Sequence, residues 1–242
     1  MRQMTPSISF RFVGIFMLSI PLFLGVQWLL LSFFLQPLDE QGLWVFAAWS
    51  NFAWFAVLTG FLLWMGWIYL VKNQWPYFTI HLRRHLFMIM LGVFLLILFN
   101  LLSVLFLEAM GLDLSSTNQE AIIAMANAGI NTRMALLVAG GFLAPFVEEL
   151  VFRKGFMDIF SRRVGIVGAI LLSSLLFGFL HVLLDLDRLY MILPYALSGV
   201  VLGFIYVFSN KNIFIPIFVH ASYNLIGLMI LILPLQERFS GI

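Results

Sequence analysis

Apolar residues run along this chain in blocks of about 20 or more, too long and too uniform for the stripe of a surface helix or the alternation of a half-buried strand. Seven blocks stand out, at 11–35, 44–71, 86–110, 133–153, 165–184, 189–209 and 213–234. Each is long enough to cross the ~30 Å hydrocarbon layer of a bilayer as a helix. Ser50, Asn51 and Thr59 interrupt the second, which also reads as two shorter elements, so the expectation is seven or eight spans. The first block is too long for a signal-peptide core and lacks a small-residue cleavage site, so it is expected to remain as a helix. The longest polar stretch is 111–132. There Gly111, Asp113, Ser115, Ser116, Thr117 and Asn118 precede Glu120-Ala-Ile-Ile-Ala-Met-Ala, which predicts a short capped amphipathic helix on the outer surface, a solvated connector or a lid. The fold class expected is all-α, a polytopic transmembrane helical bundle, with 1–242 forming a single membrane-embedded domain.

Composition agrees. Hydrophobic residues make up 63% of the chain and charged residues 10%, with a mean hydropathy of +1.06, which excludes an ordinary globular domain. The net charge of +2 is a matter of placement. With the N-terminus in the cytoplasm, nine basic residues fall inside (Arg2, Arg11, Lys72, Arg83, Arg84, Lys154, Arg162, Arg163 and Lys211) and three outside (Arg133, Arg188 and Arg238). The acidic Asp39, Glu40, Asp113, Glu120, Asp185, Asp187 and Glu237 fall outside, as does the C-terminus. This is a topological signature and gives no basis for a nucleic-acid partner. Cysteine is absent, which excludes disulfides, thiolate nucleophiles and iron–sulfur ligation.

Against this background a few polar residues stand inside predicted spans. Ionisable side chains in hydrocarbon cost at least ~2.5–3.5 kcal/mol each, so they usually face a bundle interior and act there. Span four carries Glu148, Glu149 and Arg153, span five His181, and span seven His220 and Asn224. Glu149 and Arg153 are four apart, on one helix face, and can pair; Glu148 lies about 100° away and is left free to face a cavity. Pro145 and Gly140-Gly141 just before it predict a kink that opens such a cavity. His220 and Asn224 are also four apart. A carboxylate with an imidazole can deprotonate water, and an imidazole with an amide can donate to an oxyanion, the two functions that amide hydrolysis needs. The blander reading is a register-fixing ion pair with histidines and Asn224 as interhelical hydrogen-bond glue.

With these residues in view the chain resembles the CAAX protease and bacteriocin-processing family (CPBP, also called Abi) of intramembrane proteases, which includes the type II CAAX prenyl endopeptidases. Glu148-Glu149-x-x-x-Arg153, Phe177-x-x-x-His181 and His220-x-x-x-Asn224 look like its three motifs, in order and on separate spans. The resemblance covers about 140–227, within a catalytic core at 133–234. It implies an endopeptidase in which Glu148 and His181 activate water and His220 and Asn224 stabilise the oxyanion, supported by Glu149, Arg153 and Phe177. The substrate implied is a membrane-associated peptide or precursor protein, met in the lipid bilayer; the short loops and the lack of a targeting segment suit a bacterial plasma membrane. The family name often includes "metalloprotease", and by residue type Glu148, His181 and His220 could hold zinc with an open fourth position. No second carboxylate would then remain as base unless Glu149 left Arg153, so a metal-free site is favoured.

Two rival classes make weaker fits. A non-catalytic membrane regulator or immunity-type partner on the same fold has no need of Glu148 or Asn224, and a transporter would be expected to show an inverted repeat. His81 and His85, beside Arg83 and Arg84, read as an interfacial anchor. Gly199 and Gly203 predict close approach of span six to a neighbour. Asn210-Lys211-Asn212 reads as a tight inner turn. One tension remains: His181 falls roughly 10 Å outward of mid-membrane at 1.5 Å per residue, so a converging site requires different boundaries near Arg162–Gly168.

Overall fold

The computed structural model describes residues 6–33, 38–114, 117–183 and 186–232. Arg2, Ser115, Ser116, Asp185, Glu237, Arg238 and the predicted span ends at 34–35, 184 and 233–234 lie outside the described residues. The described chain is helical, with no strand: α1 (Pro6–Phe33), α2 (Glu40–Trp67), α3 (Trp75–Ile80), α4 (Leu82–Ala109), α5 (Thr117–Asn127), α6 (Ile130–Val138), α7 (Ala144–Glu149), α8 (Asp158–His181), α9 (Ile192–Phe208) and α10 (Phe214–Ile232). Three π-helical segments join neighbours without a break: π1 (Ile68–Gln74) between α2 and α3, π2 (Ala139–Leu143) between α6 and α7, and π3 (Leu150–Met157) between α7 and α8. Six helical stretches are long and apolar enough to cross a membrane: Ile8–Phe33, Glu40–Ile80, Leu82–Ala109, Ile130–His181, Leu186–Phe208 and Phe214–Leu231. Large exposed side chains such as Trp28, Trp64, Phe94 and Phe208 cover the outside, the surface expected of a protein solvated by lipid. This is an integral membrane helical bundle.

The second block is one continuous helix, as the seven-span reading has it: Ser50 donates to Ala47 O (3.1 Å) and accepts from Gln27 Nε2 (2.7 Å), so its hydroxyl is satisfied without breaking the ladder. The structure departs from the sequence reading in two places. The fourth and fifth blocks are not separated by a loop. Lys154, Arg162 and Arg163 suggest one, yet 154–164 is helical, and Lys154 bonds Asp158 one turn on. The break falls at Gly165, where φ 73° and ψ 176° suit glycine. Finally His85 is buried and stacked on Phe78, its Nδ1 2.9 Å from Phe78 O, so it is a packing residue rather than an interfacial anchor.

Packing centres on π3 and α8. Val147, Leu150, Val151 and Phe152 are fully enclosed by Phe12 and Phe16 of α1, Leu58 and Leu62 of α2, and Ile170 and Phe177 of α8. Gly199 and Gly203 do bring α9 close: a Cβ on Gly199 would lie 2.9 Å from Ser174 Cα, and one on Gly203 3.0 Å from Ile170. The turn into α10 has Asn210 and Lys211 both left-handed (φ 55° and 59°), as its composition predicted. At the other end, the predicted amphipathic helix exists as α5 and is fastened to the entry of α9. Arg188 pairs with Asp113 (3.5 Å) and Glu120 (3.3 Å), and Tyr190 donates to Asp113 O (3.0 Å).

Candidate active site

Pro145 shapes the site. It has no N–H, so the ladder around it cannot keep i→i−4 register. The preceding turn widens into π2, where Ala144 N–H reaches back five residues to Ala139 O. In that register the donor for Gly140 O would be residue 145, the proline, and the carbonyl is left without a backbone partner. Asn224 Nδ2 of α10 donates to it at 2.9 Å. Gly141 lets α10 approach: a Cβ there would lie 2.5 Å from Leu225. After α7 the helix widens again into π3, and here Ser173 of α8 donates to Phe152 O (2.9 Å). Two π turns thus flank Glu148 and Glu149, and in each a side chain from a neighbouring helix takes a main-chain carbonyl.

Between those turns the charges form a chain. Arg153 Nε lies 3.0 Å from Glu149 Oε2, the predicted i,i+4 pair, and both side chains are fully buried. Glu149 Oε1 in turn accepts from His220 Nδ1 at 2.9 Å. That hydrogen bond fixes the ring, and its Nε2 faces Glu148 Oε2 at 3.8 Å. Glu148 is 15% exposed where Glu149 is wholly enclosed. The expected contact of Glu149 with Arg153 is present, and its second contact, with His220, was not legible in the sequence.

His181 reaches the site through aromatic rings. It is the last residue of α8, and from the break at Gly165 to His181 only 16 residues remain, about 24 Å of helix at 1.5 Å per residue. That is shorter than a ~30 Å layer. The residue after His181, Val182, is fully buried. Nδ1 lies 2.8 Å from Phe177 O and donates to it, leaving Nε2 as a lone pair. Phe177 is the hub: its ring centroid is 4.4 Å from that of His181, 5.9 Å from that of His220 and 5.3 Å from Arg153 Cζ. On another side His181 stacks on Tyr195 (4.6 Å, 22°), a residue of α9 whose sequence context carries no signal of it. No hydrogen bond joins His181 to Glu148 among the described residues; the close carboxylate–imidazole approach is that of Glu148 to His220.

Among the described residues no group of three His, Asp or Glu side chains is placed so as to hold a metal ion. A mainly apolar cavity of about 300 Å³ lies between α2, α7 and α10, bounded by Thr59, Phe146, Phe218, Ala221 and Ser222 among others, and none of Glu148, Glu149 and His220 lines it.

Residues 130–226 match the profile of a family described as type II CAAX prenyl endopeptidase Rce1-like. A Bacillus subtilis (strain 168) protein named "Putative membrane peptidase YdiL" is 28% identical over 127 residues, 52% of this chain and 48% of that protein. "UPF0177 protein YvdC" of Lactococcus lactis subsp. lactis (strain IL1403) is 29% identical over 159 residues, 66% of this chain and 56% of that one. The chain thus spans about half the length of the curated relatives it matches. No solved structure matches it. The matched residues 130–226 carry all three motifs, on α7, π3, α8 and α10, and in this segment the chain is similar to the type II CAAX prenyl endopeptidase Rce1-like family.

Proposed function

We propose that this protein is an intramembrane endopeptidase, hydrolysing a peptide bond in a membrane-associated peptide or precursor protein of a bacterial plasma membrane. The observation that carries the reading is the buried run Arg153–Glu149–His220–Glu148, which ends on a partly exposed carboxylate. A register-fixing ion pair needs Arg153 and Glu149 only. It gives no reason for His220 and Glu148 to extend the run.

In the reaction, Glu148 and the Nε2 lone pair of His181 hold the water and take its proton as oxygen attacks the peptide carbonyl carbon. His220 donates to the developing oxyanion from Nε2. To do so while Nδ1 binds Glu149, the ring carries both protons, and the charges of Arg153, Glu149, His220 and Glu148 then sum to zero, the arrangement a buried cluster tolerates best. Asn224 keeps a second amide hydrogen after bonding Gly140 O and offers it to the same oxygen. Collapse of the tetrahedral intermediate breaks the C–N bond and returns the proton to the leaving amine. An apolar substrate group occupies the cavity between α2, α7 and α10.

The test is to compare processed membrane peptides by mass spectrometry from cells expressing wild type, Glu148→Ala or Glu149→Ala, with activity of the purified protein read in chelator. Products that vanish with Glu148→Ala and persist in chelator support the reading. A profile unchanged by Glu148→Ala, with any biological phenotype retained, replaces it with a non-catalytic regulator.

A further inference from the structure

A second cavity, of about 180 Å³, opens where the first turns of α1 meet the start of α8, and none of the three motifs' residues lines it. It is lined by Ser9, Phe10, Asp158, Ile159, Arg162 and Arg163. Its carboxylate is already matched, since Asp158 Oδ2 is bonded by Lys154 and Oδ1 accepts from Lys211 at 3.1 Å. The arginines are different. Neither Arg162 nor Arg163 has an ion pair or hydrogen bond with any described residue. Two cations and one anion line this space, and that anion is already matched by Lys154 and Lys211, which leaves both guanidinium charges without a counter-ion among the described residues.

Basic residues at span ends are expected from topology alone, but topology leaves them in water. Here two adjacent, unpaired guanidinium groups border a cavity together with buried Ser9 and an outward-facing Phe10 ring that is 59% exposed. Guanidinium forks match phosphate oxygens in pairs. Both walls of the cavity stand at the start of an apolar segment. The first apolar span begins at Ile8, and the helix break at Gly165 precedes the apolar run of α8. A ligand held here has its charge against Arg162 and Arg163 and its apolar part against Phe10.

We propose that this cavity binds the phosphate of an anionic phospholipid, with Arg162 and Arg163 as its donors. The site is independent of the peptidase reading. The arginine side chains are exposed, so their replacement leaves the packing of α8 intact.

The test uses the full chain in detergent, titrated with phosphatidylglycerol, phosphatidylcholine or inorganic phosphate, and read by native mass spectrometry and thermal shift. Phosphatidylglycerol should be retained at least fivefold better than phosphatidylcholine, and the preference should disappear in the Arg162→Gln/Arg163→Gln protein. Arg162→Lys/Arg163→Lys keeps the charge and loses the fork, and should retain less than half of the bound lipid. If inorganic phosphate displaces the lipid and stabilises the protein as much, the same donors serve a free phosphate. Equal lipid retention in the glutamine variant, or full retention in the lysine variant, would overturn the site in favour of diffuse surface charge.

Discussion

Glu149 Oε1 lies 2.9 Å from His220 Nδ1, joining the first motif to the third across helices 71 residues apart. Glu149 thereby has two partners, Arg153 and His220, in a fully buried setting, whereas Glu148 has a single 3.8 Å approach and some exposure. The two carboxylates are adjacent in sequence and unequal in structure.

The first prediction follows from that inequality. Glu149→Ala strips Arg153 and His220 of a buried counter-charge, and breaking such a pair costs about 3–5 kcal/mol. Folded yield and melting temperature should fall well below those of Glu148→Ala, which keeps the fold and lowers turnover by ~10²–10⁴-fold, the usual contribution of a general base. Equal yields, with activity lost only in Glu149→Ala, would reverse the two roles.

Asn224 has a structural and a proposed chemical role that can be separated. Asn224→Ala leaves Gly140 O unpaired, at a cost of about 1–3 kcal/mol. Pro145→Ala restores a main-chain N–H at the position whose absence created the need. In that background Asn224→Ala should be markedly less destabilising, as read by a double-mutant cycle in denaturant. Turnover should stay depressed by ~10²-fold if the second amide hydrogen serves the oxyanion. Restored turnover would leave Asn224 a purely structural residue.

Tyr195 is expected to be a positioning residue, holding His181 through ring contact. Tyr195→Phe keeps the stack and should keep kcat. Tyr195→Leu should lower kcat by roughly 10- to 100-fold with little change in KM, as misplacement of a catalytic group does. Parallel losses in both variants would instead assign the effect to the hydroxyl.

The glycines give a prediction on stability alone. Gly199→Ala drives a methyl into Ser174 Cα and should destabilise by about 1–3 kcal/mol, the usual cost of overpacking. Gly60→Ala meets nothing within 4 Å and should be neutral or gain up to ~1 kcal/mol from helix propensity. Thermal melts of the two variants make the comparison.

Much of this architecture could be read from residue order. Long apolar blocks become helices because a bilayer offers main-chain polar groups no other partner. Glu149–Arg153 and Gly199–Gly203 are local spacings, so their consequences follow from helix geometry. The loop expected at 154–164 is the instructive failure. Its charges resemble those of a connector, but Lys154 and Asp158 pair along one helix, and the chain breaks later, at Gly165. Likewise Ser50 looks like an interruption until its hydroxyl is seen to bond its own helix.

The order of residues by itself determined that the chain is a helical membrane protein and which side chains are too costly to sit idle in it, because hydrophobic block length and buried charge are local properties. Only the tertiary structure decided that Glu149 serves His220 as well as Arg153, that Asn224 takes the carbonyl Pro145 leaves free, and that Phe177 and Tyr195 enclose His181. These pairings depend on how far each helix slides and rotates against its neighbours. Close packing at glycines and π turns sets that, and no single helix encodes it.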